Sequence, residues 1–368
     1  MSVLLPALGP RLVFFTGGTA LRGLSRSLTR YTHNSVHLVT PFDSGGSSAA
    51  LREAFALPAV GDIRNRLAAL ADSMIPQSVL DFWEMRLPAE GDSEALRARL
   101  RAMGSAGHPC WRPLPSVMAD VMRVHLGYFL ERMPDDFRPQ KASMGNLLLA
   151  GGYLHFQRNF TPVLSLFSRL LQVRGVVLPI VNACLHLAAE LADGSVLVGQ
   201  HHFCRLTQPV RRLYLTVHEP GRTSTALTPC RPPLSATAAT YLQSAGAICY
   251  PMGSFYTSVL SNLLPDGVGR AVAAARCPKI YIPNSGKDTE AQGLTLTAQV
   301  DMLLRPAACR AAGQSPRPLS RRHRMEGAGT ARHRGGGQRD GLPRRSAASR
   351  SRTCLRGPAG TGGRAARP

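Results

Sequence analysis

Lysine is nearly absent from this chain of 368 residues, with 3 Lys against 41 Arg, and there are only 22 acids. Aromatic residues make up 6%. No apolar run reaches the roughly 18 residues of a membrane-spanning helix, so no membrane partner is expected. The eight cysteines, at 110, 184, 204, 230, 249, 277, 309 and 354, contain no C-x-x-C pair and no metal-ligand rhythm. Disulfide-framework and zinc readings therefore lack support, and the cysteines read as small buried hydrophobes. His201-His202 with Cys204 is the one tight soft-ligand cluster, and it reads as a polar strand edge. Neither G-x-x-x-x-G-K-[ST] nor G-x-G-x-x-G occurs, and no Ser/His/Asp constellation is readable. The stretch Met1–Phe15 is apolar but lacks a basic start and a small-residue cleavage site. It reads as a first core strand, and a cytoplasmic protein is expected.

What is abundant is positive charge, +22 in all, distributed unevenly. Residues 306–368 hold 15 Arg and two acids, Glu326 and Asp340, so more than half of the excess lies in the last sixth of the chain. That segment has no Phe, Tyr, Trp, Ile, Val, Lys or Asn. It has too little apolar surface to offset the entropy of ordering, so disorder is expected. An Arg-rich arm suits phosphate backbones, but G/C-rich codons supply Arg, Gly, Ala and Pro. A G/C-rich gene read out of frame gives this mixture, and the expectation is a frameshift product with no nucleic-acid role.

Residues 1–305 have another texture, with 44% hydrophobic residues over the whole chain. Continuous apolar runs bounded by glycine and helices suit buried parallel strands. Leu12–Phe15, Val36–Val39, Ala247–Tyr250 and Lys279–Ile282 have that form. The first is followed by the helical pattern Leu21, Leu24, Leu28. The second leads through a loop, Asp43–Ser48, to a helix over Ala49–Phe55, and the third to a helical run, Tyr256–Leu264. Between them, Ser116–Met133, Gly145–Phe156 and Pro162–Val173 read as helices. Leu185–Leu191 and Ser195–Gly199 read as a hairpin, and Leu294–Arg305 as a last helix. The expected fold is α/β, a Rossmann-like doubly wound, mostly parallel sheet with a helical and β-hairpin insertion at about residues 100–235.

Ligands of such sheets bind outside the carboxyl ends of the strands. Gly17, Gly18 and Thr19 follow the first strand, where backbone N–H groups and a helix dipole favour phosphate. Ser44, Gly45, Gly46 and Ser47 repeat the arrangement with Asp43 added, and Gly253 and Ser254 repeat it again. Asp62, in Gly61-Asp62-Ile63-Arg64-Asn65, is either a helix N-cap or a second site carboxylate; Asp43 is either a turn former or a site acid. Carboxylates beside phosphate would recruit Mg²⁺, with Asp43 as its ligand. Arg64 and Arg66 are candidates to clamp a diphosphate, and Asn146 is a helix cap or a ligand contact.

These residues together resemble the CofD-like family, which includes 2-phospho-L-lactate transferases and YvcK-type gluconeogenesis factors. The resemblance runs from about Leu12 to Leu304. It rests on Thr16-Gly17-Gly18-Thr19, Asp43-Ser44-Gly45-Gly46-Ser47-Ser48, Gly61-Asp62-Ile63-Arg64-Asn65 and Gly145-Asn146-Leu147-Leu148. It continues in Ala189–Gly194 and Gly253-Ser254-Phe255-Tyr256-Thr257-Ser258 with Asn262, and its detail is nearer the YvcK side. The resemblance implies a nucleoside diphosphate bound at the strand ends. Gly17, Gly18 and Thr19 would hold phosphate, Asp43 and Asp62 would lie near metal and diphosphate, and Gly253 and Ser254 would close the site. In the transferases the donor is a guanosine-diphosphate-activated phospholactate, whose 2-phospholactyl group passes to a deazaflavin with Mg²⁺. The YvcK-type relatives instead resemble regulatory binders of UDP-sugars. Phe42 stands where the family usually carries the first of two adjacent aspartates, and Pro251-Met252 stand in its Gly-Pro-Gly-Ser loop. A nucleotide-type ligand is the expected partner, and a homo-oligomer is compatible with the sequence.

Overall fold

The computed structural model describes residues 5–206, 208–217, 227–286 and 288–305; the expected disordered arm at 306–368 lies outside them. The apolar N-terminal stretch joins the sheet only at Leu12, because Pro6–Leu8 forms an exposed 3-10 turn. β1 (Leu12–Thr16), α1 (Arg22–Leu28) and β2 (Val36–Val39) make a first β-α-β unit. The chain then leaves the sheet through α2 (Gly46–Phe55), α3 (Gly61–Ala69), α4 (Gln77–Glu84) and α5 (Ser93–Met103). It returns through α6 (Ser116–Leu130), α7 (Met144–His155) and α8 (Phe160–Leu170) to β3 (Val176–Pro179). A second excursion contains β4 (His186–Leu191), β5 (Val196–Val198), β6 (Val210–Thr216), β7 (Pro229–Cys230) and α9 (Ala236–Gln243). The last described part holds β8 (Ala247–Tyr250), α10 (Val268–Ala274), β9 (Lys279–Tyr281) and α11 (Leu296–Leu304).

Five strands form one parallel sheet in the order β3-β2-β1-β8-β9. Its three central strands are nearly or wholly buried along their length, which is why they read as unbroken apolar runs rather than alternating ones. Alternate residues nevertheless enter different cores. Val13, Phe15, Val36, Leu38, Ile248 and Tyr250 pack toward the antiparallel side of the molecule. Val39 and Val177 pack instead against the helices α2 to α8. The fold is thus the expected α/β sheet with elements on both faces.

Several local differences have identifiable causes. The predicted hairpin is part of a four-stranded antiparallel sheet, β5-β4-β6-β7, because β6 pairs the other edge of β4 with Ala188 opposite Tyr214. α2 starts at Gly46, not Ala49, so Ser47 and Ser48 lie in its first turn and are buried. The run expected as one helix over Tyr256–Leu264 is a π turn, Phe255–Val259, followed by a 3-10 turn, Leu260–Leu263. There the Ser261 hydroxyl donates to Thr257 O at 2.6 Å and Asn262 Nδ2 to Ser258 O at 2.8 Å, so side chains compete for carbonyls that an α-helix would use.

Candidate functional site at the strand ends

Because the strands are parallel, β1, β2 and β8 deliver their following loops to one edge. After β1, Gly17 sits where no side chain fits: a Cβ there would lie 2.7 Å from Thr40 Oγ1 and 2.9 Å from Ser258 Cα. Gly18 has φ +62°, the left-handed region that favours glycine. Its N–H donates to Asp62 Oδ2 at 2.7 Å. Asp62 is therefore not an N-cap. It lies in the first turn of α3, whose N-cap is Val60, and bridges to the first loop. Thr19 is exposed and α1 begins only at Arg22, so the Gly-Gly-Thr turn precedes the helix by a further turn.

After β2, Asp43 accepts the Gly45 N–H on Oδ1 at 2.9 Å, a turn-forming bond that leaves Oδ2 available. Ser44 is held from the antiparallel sheet. Its Oγ lies 2.8 Å from His201 Nδ1 and accepts the His201 N–H at 3.3 Å. The polar edge read at His201-His202 is thus a brace for the second loop. Ser47 Oγ accepts from Asn146 Nδ2 at 2.8 Å. Asn146 is not the cap of α7, a position held by Ser143, and its buried Oδ1 has no partner.

These groups converge on Gly61. A Cβ on Gly61 would meet Ser48 Oγ at 2.7 Å, Asp43 Oδ2 at 3.5 Å and Asn146 Nδ2 at 4.0 Å. The space is a cradle bounded by a carboxylate oxygen, a hydroxyl and an amide. Among the described residues no three His, Cys, Asp or Glu side chains gather as metal ligands. Asp43 Oδ2 and Ser48 Oγ are hard oxygen donors that fit Mg²⁺, which takes one or two carboxylates together with phosphate oxygens. These two oxygens are the groups that would hold it, and the amide atom beside them is the donor Asn146 Nδ2.

Electrostatics distinguishes the two acids. Burial, and then the neighbouring Asp43 charge, push the Asp62 carboxyl up to about 6, although the Gly18 N–H, Arg66 and Arg64 pull the other way. Arg64 is buried, and its guanidinium makes no hydrogen bond to another described side chain or carbonyl. Burial, with Arg86 and Arg22 nearby, lowers it to about 10, so it remains a cation at neutral pH. Arg66 differs: its Nη1 donates to Ser25 Oγ inside the protein, so the two arginines do not form a clamp. Asn65 is half-buried between them on α3.

The third loop is built differently. Gly253 has φ +153° and exchanges two bonds with Asn284, each at 2.9 Å. Phe255 N donates to Asp288 Oδ2 at 3.0 Å, and Tyr256 N and Thr257 N donate to Glu290 Oε2 at 3.0 and 2.9 Å. The amides that follow Ser254 are thereby occupied by the protein's own acids. What this segment turns toward the first loop is the Ser258 hydroxyl, 2.9 Å from where a Gly17 Cβ would sit. Sequence reading placed Ser258 in a motif without assigning it a role. It missed Asp288 and Glu290, which lie more than 30 residues from the amides they bind and carry no local signal.

A glycine turn, two carboxylates, a buried cation and a polar cradle thus meet at the carboxyl edge of the parallel sheet of an α/β protein. The family described as 2-phospho-L-lactate transferase CofD matches residues 12–315, and the chain belongs to this family. It is 30% identical over 275 residues to the gluconeogenesis factor of Bacillus subtilis (strain 168), covering 75% of this chain and 68% of that one. To the putative gluconeogenesis factor of Nostoc sp. (strain PCC 7120) it is 29% identical over 302 residues, 82% of this chain and 52% of that one, so it spans about half of that relative. A crystal structure of a Bacillus halodurans protein described as a member of the upf0052 family is similar, with TM-score 0.59 and 25% identity over 82% of this chain and 77% of that one. Among the described residues no helix is long and apolar enough to cross a membrane.

Proposed function

We propose that the strand-end cluster binds the diphosphate of a nucleotide ligand, with Arg64 facing phosphate and Asp43 facing a bound Mg²⁺. The observation that carries this reading is the cradle at Gly61, where Asp43 Oδ2, Ser48 Oγ and the Asn146 amide converge on space that any side chain would fill. Mg²⁺ bound there would neutralise phosphate charge and orient the diphosphate.

The reaction this arrangement suits is transfer of a phosphorylated group, of the 2-phospholactyl type, from a guanosine-diphosphate donor. An acceptor hydroxyl oxygen forms a bond to phosphorus while that phosphorus loses its bond to the bridging oxygen. The nucleoside monophosphate leaves with the electron pair. The hydroxyl proton passes to Asp62, whose ionisation near 6 suits a general base. A second reading, a UDP-sugar-binding regulatory protein without turnover, is favoured by Phe42. It is fully buried in the core, so the second loop carries one acid, Asp43.

The test is to incubate the full chain with a guanosine-diphosphate-activated phospholactate, a deazaflavin acceptor and Mg²⁺, and to follow release of guanosine monophosphate. Turnover that Asp43→Asn abolishes supports transfer. Tight UDP-sugar binding with no product from either nucleotide supports the regulatory reading. Absence of binding to any nucleoside diphosphate overturns both.

A further inference from the structure

At the opposite edge of the parallel sheet, where β2 and β3 begin, a cavity of about 520 Å³ opens between the ends of α1 and α3 and the segment leading into β3. Three arginines border it, Arg26 and Arg30 from the end of α1 and Arg174 from the approach to β3, against a single carboxylate, Asp72. We propose that this cavity binds the phosphate group of a small organic anion, as a site separate from the strand-end cluster.

Arg174 gives the proposal its geometry. Its Nε is bonded to Asp72 Oδ2, and Asp72 Oδ1 in turn accepts the Met74 N–H at 2.8 Å, so both carboxylate oxygens are occupied. The Arg174 backbone N–H is also fixed, to Leu70 O at 2.8 Å. A guanidinium pinned through Nε has its two Nη groups left over, and neither bonds another described residue. Two parallel N–H donors in a fixed plane match two oxygens of one phosphate. Arg26 and Arg30 have no side-chain hydrogen bond or ion pair with any described residue. The negative end of the α1 dipole explains a cation in its last turn. It does not explain why a third guanidinium, from a separate segment, is braced toward the same cavity.

The rest of the lining points to the ligand's body. Ala68, Ala69 and Ile75 are buried and Leu80 is half-buried, which gives the cavity an apolar wall beside its cations. Inorganic phosphate would use the arginines alone, whereas a phosphate monoester with a carbon body would also cover the wall. The two sites share α3, with Asp62 and Arg64 at its start and Ala68 and Ala69 at its end. They share no charged side chain, so each can be removed alone.

The experiment is a ³¹P-detected titration of the full chain with phenyl phosphate, and separately with inorganic phosphate. It is run on the wild type, Arg26→Glu/Arg30→Glu, Arg174→Lys and, as a control for loss of one exposed cation outside both sites, Arg270→Gln on α10, with a cooperative melt as the folding control. The expected result is saturable binding, tighter for phenyl phosphate than for inorganic phosphate. The double variant should weaken it on the order of tenfold and Arg174→Lys by a smaller factor, since charge without the fork remains. Arg270→Gln should leave it unchanged. No saturable binding to the wild type, unchanged affinity in the double variant, or an equal loss in Arg270→Gln would overturn the proposal. Wild-type affinity in Arg174→Lys would do the same, because the pinned fork would then make no contact.

Discussion

After β2, Asp43 spends one oxygen on its own turn and turns the other toward Gly61, while after β8 the acids Asp288 and Glu290 return from later in the chain and occupy the amides of Phe255, Tyr256 and Thr257. Both loops have small residues ahead of a helical segment, and both lie on the same edge of the sheet. In both loops a carboxylate answers a backbone N–H, but the second keeps one carboxylate oxygen of Asp43 unspent, whereas Glu290 uses both of its oxygens on the third. A glycine-serine turn at a helix start therefore has to be judged by which groups its own fold leaves unspent.

Glu290→Ala breaks the third-loop side of this comparison and should have the largest effect. It strands two backbone N–H groups and the Thr257 hydroxyl, which donates to Glu290 Oε1 at 2.7 Å. The expected cost is about 4 kcal/mol of stability by denaturant unfolding, with nucleotide affinity per folded molecule nearly unchanged.

Asp62→Asn sharpens the other side. The folded Asp62 carboxyl titrates at about 6 against an ordinary 3.8. A raised carboxyl contributes stability fully below about 4, and that contribution is lost as pH rises through about 6. The variant should match the wild type at pH 4 and exceed it by up to about 3 kcal/mol at pH 8. A stability difference that does not grow with pH would show that Asp62 is not ionised against its surroundings.

Gly61→Ala fills the cradle and removes no donor. The Ser48 hydroxyl can rotate away from a Cβ 2.7 Å distant, so stability should change by less than about 1 kcal/mol. Nucleotide affinity in Mg²⁺ should fall by about tenfold or more, measured by calorimetric titration. The smallest effect belongs to His201→Ala, which frees Ser44 from its brace. Stability should drop by less than about 1 kcal/mol and affinity by about threefold, with His201→Gln restoring part of it.

The parallel sheet was largely legible because burial on both faces leaves β1, β2 and β8 as unbroken apolar runs. β3 escaped notice as a short, half-exposed edge strand ending in Pro179. β6 was hidden by Arg211 and Arg212, whose side chains interrupt its apolar pattern. At the site, glycines and acids could be read as candidates, and the helix-start position of Asp62 was visible. Its bond to Gly18 was not, since it spans 44 residues and depends on how α3 meets the first loop. The brace from His201 to Ser44 spans 157 residues and required the antiparallel sheet to be in place.

The most direct test of the central claim is a thermal-shift titration of the full chain with GDP, UDP, UDP-N-acetylglucosamine and ATP, each with and without Mg²⁺, repeated on Asp43→Asn and Gly61→Ala. A nucleoside diphosphate ligand at about a hundred times its dissociation constant should stabilise the wild type by about 2.7 kcal/mol. Mg²⁺ should enlarge that shift in the wild type and in neither variant. No shift with any of the four ligands, or an equal Mg²⁺-dependent shift in Gly61→Ala, would contradict a diphosphate site at the Gly61 cradle.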